Sequence, residues 1–271
     1  MATVFIIGFR EALEAALIVG IMLSYLRKTG HGALERHVLL GAAAGIVASV
    51  LTAIAFNAFS IKFEGANEQV FEAATMLVAA TVLSYMMLWM ARNTQVRHQI
   101  GESVKNTLSQ GGNALFLLAF FAVYREGVET VLLLAAASFN SASGTNVPEF
   151  VLGIAGAVAV GWLIFEAGVR INLKTLFLVT SVVLLFFASG LVSHAVAELQ
   201  EAGVITFGLQ QAWDASGILA KGNDAYLVAR SLLGYTPTPS VLEAATYFAC
   251  LFGLGYAYRA AVLSARRKSA A

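Results

Sequence analysis

Seven apolar runs, near residues 2–26, 34–60, 69–91, 114–139, 149–169, 174–198 and 241–263, set the terms on which this chain can fold. Each is close to the roughly 20 residues that a helix needs to cross the hydrocarbon core of a bilayer. Inside lipid every backbone N–H and C=O must be satisfied by the protein, which leaves helices and closed barrels as spanning forms. The alternating ten-residue pattern of barrel strands does not occur. Only 12% of the 271 residues are charged and 59% are hydrophobic, whereas about a quarter of a soluble domain is charged. An all-α polytopic membrane protein with seven transmembrane helices is expected.

Two of the runs contain charges. Arg10-Glu11-Ala12-Leu13-Glu14 lies inside the first, and Arg125-Glu126-Gly127-Val128-Glu129 lies inside the fourth. An Arg or carboxylate at the centre of a membrane helix costs about 2.5–3.5 kcal/mol, so six unpaired ones would cost on the order of 15–20 kcal/mol. That exceeds the stability of most domains. Such groups persist when they face the protein interior, pair with each other and serve an ion or proton pathway, which predicts a transporter and not an enzyme. Because Arg10, Glu11 and Glu14 interrupt the first run where a secretory signal would be apolar, that run is expected to be retained.

Lysine and arginine alternate between the connecting segments, and positive residues stay on the cytoplasmic side. Arg27, Lys28 and Arg36, then Arg92, Arg97 and Lys105, then Arg170 and Lys174, and finally Arg259, Arg266, Arg267 and Lys268 all fall on one side. The opposite segments hold only Lys62, Lys221 and Arg230. An outer amino terminus and a cytoplasmic carboxyl terminus follow. The two charged motifs are offset by 115 residues, and the same offset carries the second run onto the fifth and Gly41 onto Gly156. Residues 1–113 and 114–198 therefore read as two three-helix units of inverted topology, an arrangement found in secondary transporters. Residues 199–240 form an external loop, and residues 241–271 form the seventh helix with a basic tail.

On a helix Glu11 and Glu14 share a face, as do Glu126 and Glu129, while Arg10–Glu14 and Arg125–Glu129 are spaced for intrahelical ion pairs. Together the motifs sum to a charge of minus two. Carboxylate oxygens are hard ligands that suit magnesium, calcium, manganese or ferric iron over copper(I), and spacing alone does not choose among them. Met86, Met87 and Met90 read as packing residues. Cys250 has no partner for a disulfide within the chain.

At these residues the chain resembles the oxidase-dependent iron permeases of fungal plasma membranes and bacterial inner membranes. Their pattern is Arg-Glu-Gly-Leu-Glu in the first and fourth of seven spans. Ala12 and Val128 are the departures here, both apolar. The resemblance implies Glu11, Glu14, Glu126 and Glu129 as iron ligands, with Arg10 and Arg125 as their charge partners. It implies no permanent cofactor, iron as the transported ion, and a periplasmic iron-binding or iron-oxidising partner. Asp214-Ala215-Ser216-Gly217 is similar to an external Asp-Ala-Ser-Glu segment of the fungal members, with Gly217 in place of the acid.

Glu64, Glu68 and Glu72 recur every four residues at the outer end of the third run, and Glu198 and Glu201 close the sixth on the same side. With Asp214 they are candidates for collecting cations outside. Glu166 is the candidate on the exit side, with pairing to Arg170 as its plainer role. The four histidines read as surface or interfacial groups. No nucleic-acid partner is expected, because the basic tail reads as an anchor to anionic lipid. Homo-oligomerisation is left open by the sequence. A permease for manganese or lead is the nearest rival, and an intramembrane di-iron enzyme is a more distant one, since the Glu-x-x-His pairs usual in such sites are missing.

Overall fold

The computed structural model describes residues 2–92, 96–139, 147–165, 173–217, 226, 229–230 and 233–270. These are helical almost throughout, with α1 (Ala2–Lys28), α2 (Glu35–Ser60), α3 (Ala66–Arg92), α4 (Val96–Leu108), α5 (Gly112–Phe139), α6 (Val147–Phe165), α7 (Leu173–Glu201) and α8 (Val241–Ala270). Five helical stretches, Gly32–Ser60, Ala66–Arg92, Val147–Ile164, Leu178–Glu201 and Val241–Ser264, are long and apolar enough to cross a membrane. Helices α1 and α5 are nearly equal in length, 27 and 28 residues, with three charges towards the middle of each.

Helix α1 ends in a Schellman motif. His31 N donates to Leu26 O at 2.9 Å and Gly30 N to Arg27 O at 3.3 Å. Gly30 takes φ +77°, a left-handed turn that glycine enters without steric cost. The short helix α4 was read from sequence as connecting segment. Its apolar positions are too few to mark a span, and its one fully buried described side chain is Val104.

The helices of the two halves are interleaved. Helix α2 packs along α5, and α1 packs along α6. Both pairs are parallel, because contacts climb together: Gly41 meets Phe116 O and Gly45 meets Phe120 O, while Gly153 meets Phe5 O and Gly161 meets Ala16. A Cβ at Gly41 would stand 2.3 Å from Phe116 O and one at Gly153 2.5 Å from Phe5 O, so only glycine allows this approach. The stacked pairs Phe5–Phe9 and Phe120–Tyr124 keep the 115-residue offset. Their packing partners do not. Phe5 faces Gly153 and Phe120 faces Gly45, which are 108 apart, so α6 is shifted by seven residues from the expected register. Seven residues are close to two turns, which preserves the face presented.

Helix α3 packs on α7, and α8 lies against both. The segment expected as an external loop does not stay at the end of the bundle. Gly234 lies against Gly190 of α7, where a Cβ on Gly190 would be 2.6 Å from Gly234 Cα. Gly190 is eleven residues before Glu201, or about 16 Å along the axis. Tyr226 is buried, and Tyr247 of α8 donates to Leu233 O at 2.7 Å. Two glycines facing each other make room for this dip, a pairing that composition does not reveal.

Candidate metal centre

Helices α1 and α5 cross antiparallel, and their charged motifs meet. Arg10, Glu11 and Glu126 are buried at 1–2% exposure. The Arg10 guanidinium pairs with Glu11 through Nη2 and with Glu14 Oε1 through Nη1 at 2.9 Å. Arg125 pairs with Glu126 through Nη2 and reaches Glu129 Oε1 at 3.6 Å. The two arginines differ in setting, since the Arg125 side chain is 62% exposed. Arg10 instead lies against α3, with Nη2 3.6 Å from Met86 Sδ and Nη1 4.0 Å from Met90 Sδ. Both methionines are therefore neighbours of the charge cluster as well as packing residues.

One oxygen from each of Glu11, Glu126 and Glu129 can be chosen so that all three lie within 4.8 Å of one another. The Oε2 atoms of these same residues are buried and have no hydrogen-bond partner. An unpaired buried carboxylate oxygen is costly, and three carboxylates this close together could supply oxygen donors to a hard cation. Glu14 stands beside this trio, with Oε1 occupied by Arg10. The four motif glutamates thus divide into three that converge and one that stands beside them.

Around the site the motif's small residues are explained by packing. A Cβ on Gly127 would be 1.8 Å from Ser49 Oγ of α2, so this position has no room for Ala. Ala12, its counterpart in α1, packs at the edge of a cluster of Leu13, Leu17 and Ala157. Tyr124 and Thr52 tie α5 to α2 through their hydroxyls at 3.1 Å.

At the far end of α3 and α7, Glu72 is within electrostatic reach of Glu198 and Glu68, and Glu198 also of Glu201 and Arg230. Gln69 donates to Glu201 Oε2 at 3.4 Å. Glu64 is exposed in the turn before α3. Asp214 is exposed and turned onto its own loop, accepting from Ser216 N at 2.9 Å and from Ser216 Oγ. These bonds hold its carboxyl below the usual aspartate range. Glu166 lies outside the described residues.

A cavity of about 330 Å³ joins Glu201 to Gln200, Gln211, Ser240 and Glu243. Glu243 was not singled out from sequence, although Ser240-Val241-Leu242-Glu243 is a capping-box signature. The box forms: Ser240 N donates to Glu243 Oε1 at 3.3 Å, and Glu243 N to Ser240 Oγ at 3.1 Å.

Residues 1–267 match the iron permease FTR1 family. The chain belongs to that family. Among curated relatives of this iron permease, the ferrous iron permease EfeU of Escherichia coli O6:K15:H31 (strain 536 / UPEC) is 34% identical over 249 residues, 90% of each chain. EfeU of Yersinia pestis is 34% identical over 249 residues, covering 90% of this chain and 88% of its own. The EfeU of Escherichia coli strain K12, whose name carries the word inactive, is likewise 34% identical over 90% of each chain. No solved structure matches the permease.

Proposed function

We propose that this permease imports iron across the cytoplasmic membrane through a site built by Glu11, Glu126 and Glu129, with Glu14 as the adjoining carboxylate and Arg10 and Arg125 as charge partners. The observation that carries this reading is the convergence of three carboxylates, each with a buried Oε2 that lacks a partner. Ferric iron, formed outside by an iron-oxidising partner, suits an all-oxygen set. A ferrous route is the second reading, favoured by the name of the EfeU relatives and by the charge of minus two, which Fe²⁺ cancels.

Seven crossings fit the packing, and the distribution of lysine and arginine supports an outer amino terminus and an inner carboxyl terminus. Helices separated by an odd number of crossings run antiparallel, and the parallel pairs α1–α6 and α2–α5 agree if α4 does not cross. Each pair joins one unit to the other, as two inverted three-helix units would exchange them. Outer carboxylates Glu68, Glu72, Glu198 and Glu201 gather the ion before the midplane glutamates replace its water. Glu64 and Asp214 stand further out, and Glu166 serves the exit.

Uptake of radiolabelled iron into proteoliposomes, offered as ferric or ferrous ion against manganese, tests this reading. Glu11→Gln, Glu126→Gln and Glu129→Gln should each lower uptake by at least ten-fold, and Glu14→Gln by less. Native uptake in all three trio variants would reject the site, and manganese import without iron import would reassign the substrate.

A further inference from the structure

Between the carboxylates and the cytoplasmic end, the seam of α1 and α5 is dry. Met22 and Leu26 of α1, Val38 of α2, Val104 of α4, and Leu115 and Ala119 of α5 form one cluster, each at 1% exposure or less. None of the six side chains carries oxygen or nitrogen. Ala119 and Leu115 are four residues apart, so an ion moving inward along α5 past this cluster would travel about 6 Å with no oxygen or nitrogen from these six side chains. A bare cation does not cross such a region, because nothing replaces its hydration. The cluster must open for transport to occur.

Helix α4 is the part suited to opening. It touches both α1 and α5 and contributes Val104 to the cluster, with Leu108 at the margin. Among its described side chains Val104 is fully buried, while Glu102, Ser103, Lys105 and Asn106 are exposed. With 13 residues it is marginal on its own, whereas α1 and α5 are gripped along their length. Gly111, at φ +90°, joins it to α5.

We propose that α4 is the inner gate of the permeation path, closing the α1–α5 seam through Val104 and opening it by lifting away. The proposal rests on the reading of the Glu11–Glu126–Glu129 site as the point from which iron is released inward.

The test is a reversible lock. In a Cys250→Ala chain, Leu26→Cys and Val104→Cys are introduced together, and the protein is reconstituted in proteoliposomes. Oxidation should join the two helices and cut iron uptake at least ten-fold, a reductant should restore it, and iron bound per chain at equilibrium should stay unchanged. Either cysteine alone should leave uptake indifferent to oxidant. Undiminished import through the cross-linked chain overturns the gate alone, and so does a pair that fails to cross-link. Absence of iron binding in the native chain overturns the site and the gate with it.

Discussion

Arg10 and Arg125 occupy the same place in two copies of one motif, yet their surroundings assign them different burdens. Removing one partner from a buried ion pair costs about 3–5 kcal/mol, because the other charge is left without compensation. Arg10→Gln should therefore lower the unfolding temperature in detergent markedly, and Arg10→Gln/Glu11→Gln should recover part of the loss. Arg125→Gln, at an exposed side chain, should have the smaller effect on stability. Gly127→Ala forces a methyl into Ser49 and should destabilise by about 1–3 kcal/mol, the usual range for overpacking. Ser49→Gly should rescue it. Ala12→Gly should cost only about 1 kcal/mol of helix propensity. These contrasts, read by thermal unfolding, show why the motif tolerates Ala in one copy and Gly in the other. Asp214 is held below the ordinary aspartate range by Ser216, so it is ionised above that range and its turn loosens only when acidification passes below it. Between pH 7 and pH 5, Asp214→Asn should leave the pH profile of uptake unchanged.

The helices were legible where hydrophobicity alone builds them. The seven apolar runs correspond to α1–α3 and α5–α8, and the charged motifs lie mid-helix as their spacing implies. Helix α4 was not legible, because a short polar helix laid on a bundle has no apolar run of its own and takes its place from the helices it touches. The position of Gly234 against Gly190 is a contact between distant residues with no local pattern. The seven-residue shift of α6 is of the same kind: a uniform offset describes the chain, but the depth at which glycine meets carbonyl sets the packing. Within the site, sequence gave four equivalent glutamates, and only the crossing of α1 and α5 separates Glu14 from the converging three. The capping box of α8 could have been read in advance. Ser240→Ala should cost about 1 kcal/mol and loosen the loop pairing in which Val241 N donates to Gln210 O. Hydrogen exchange at Val241 and Glu243 would measure it.

Across the whole molecule the carboxylates lie between two apolar clusters. On one side are Val4 and Ile7 with Leu133, Ala136, Phe187 and Leu191, and on the other are Met22, Leu26, Leu115 and Ala119. If these carboxylates hold iron as proposed, the bound ion should stabilise the fold. At a concentration a hundred times its dissociation constant, a ligand adds about 2.7 kcal/mol. The matching rise in unfolding temperature should vanish in Glu126→Gln. The interleaved packing also has a consequence for how the protein is made. Helix α1 rests on α6, whose first residue follows Lys28 by 119 positions. At about 5–20 residues per second, a ribosome needs roughly 6–24 s to supply it. Throughout that interval the newborn chain holds α1, with its three charges, in or beside the bilayer without the helix it packs along, so its most exposed moment comes during synthesis, before any ion has been carried.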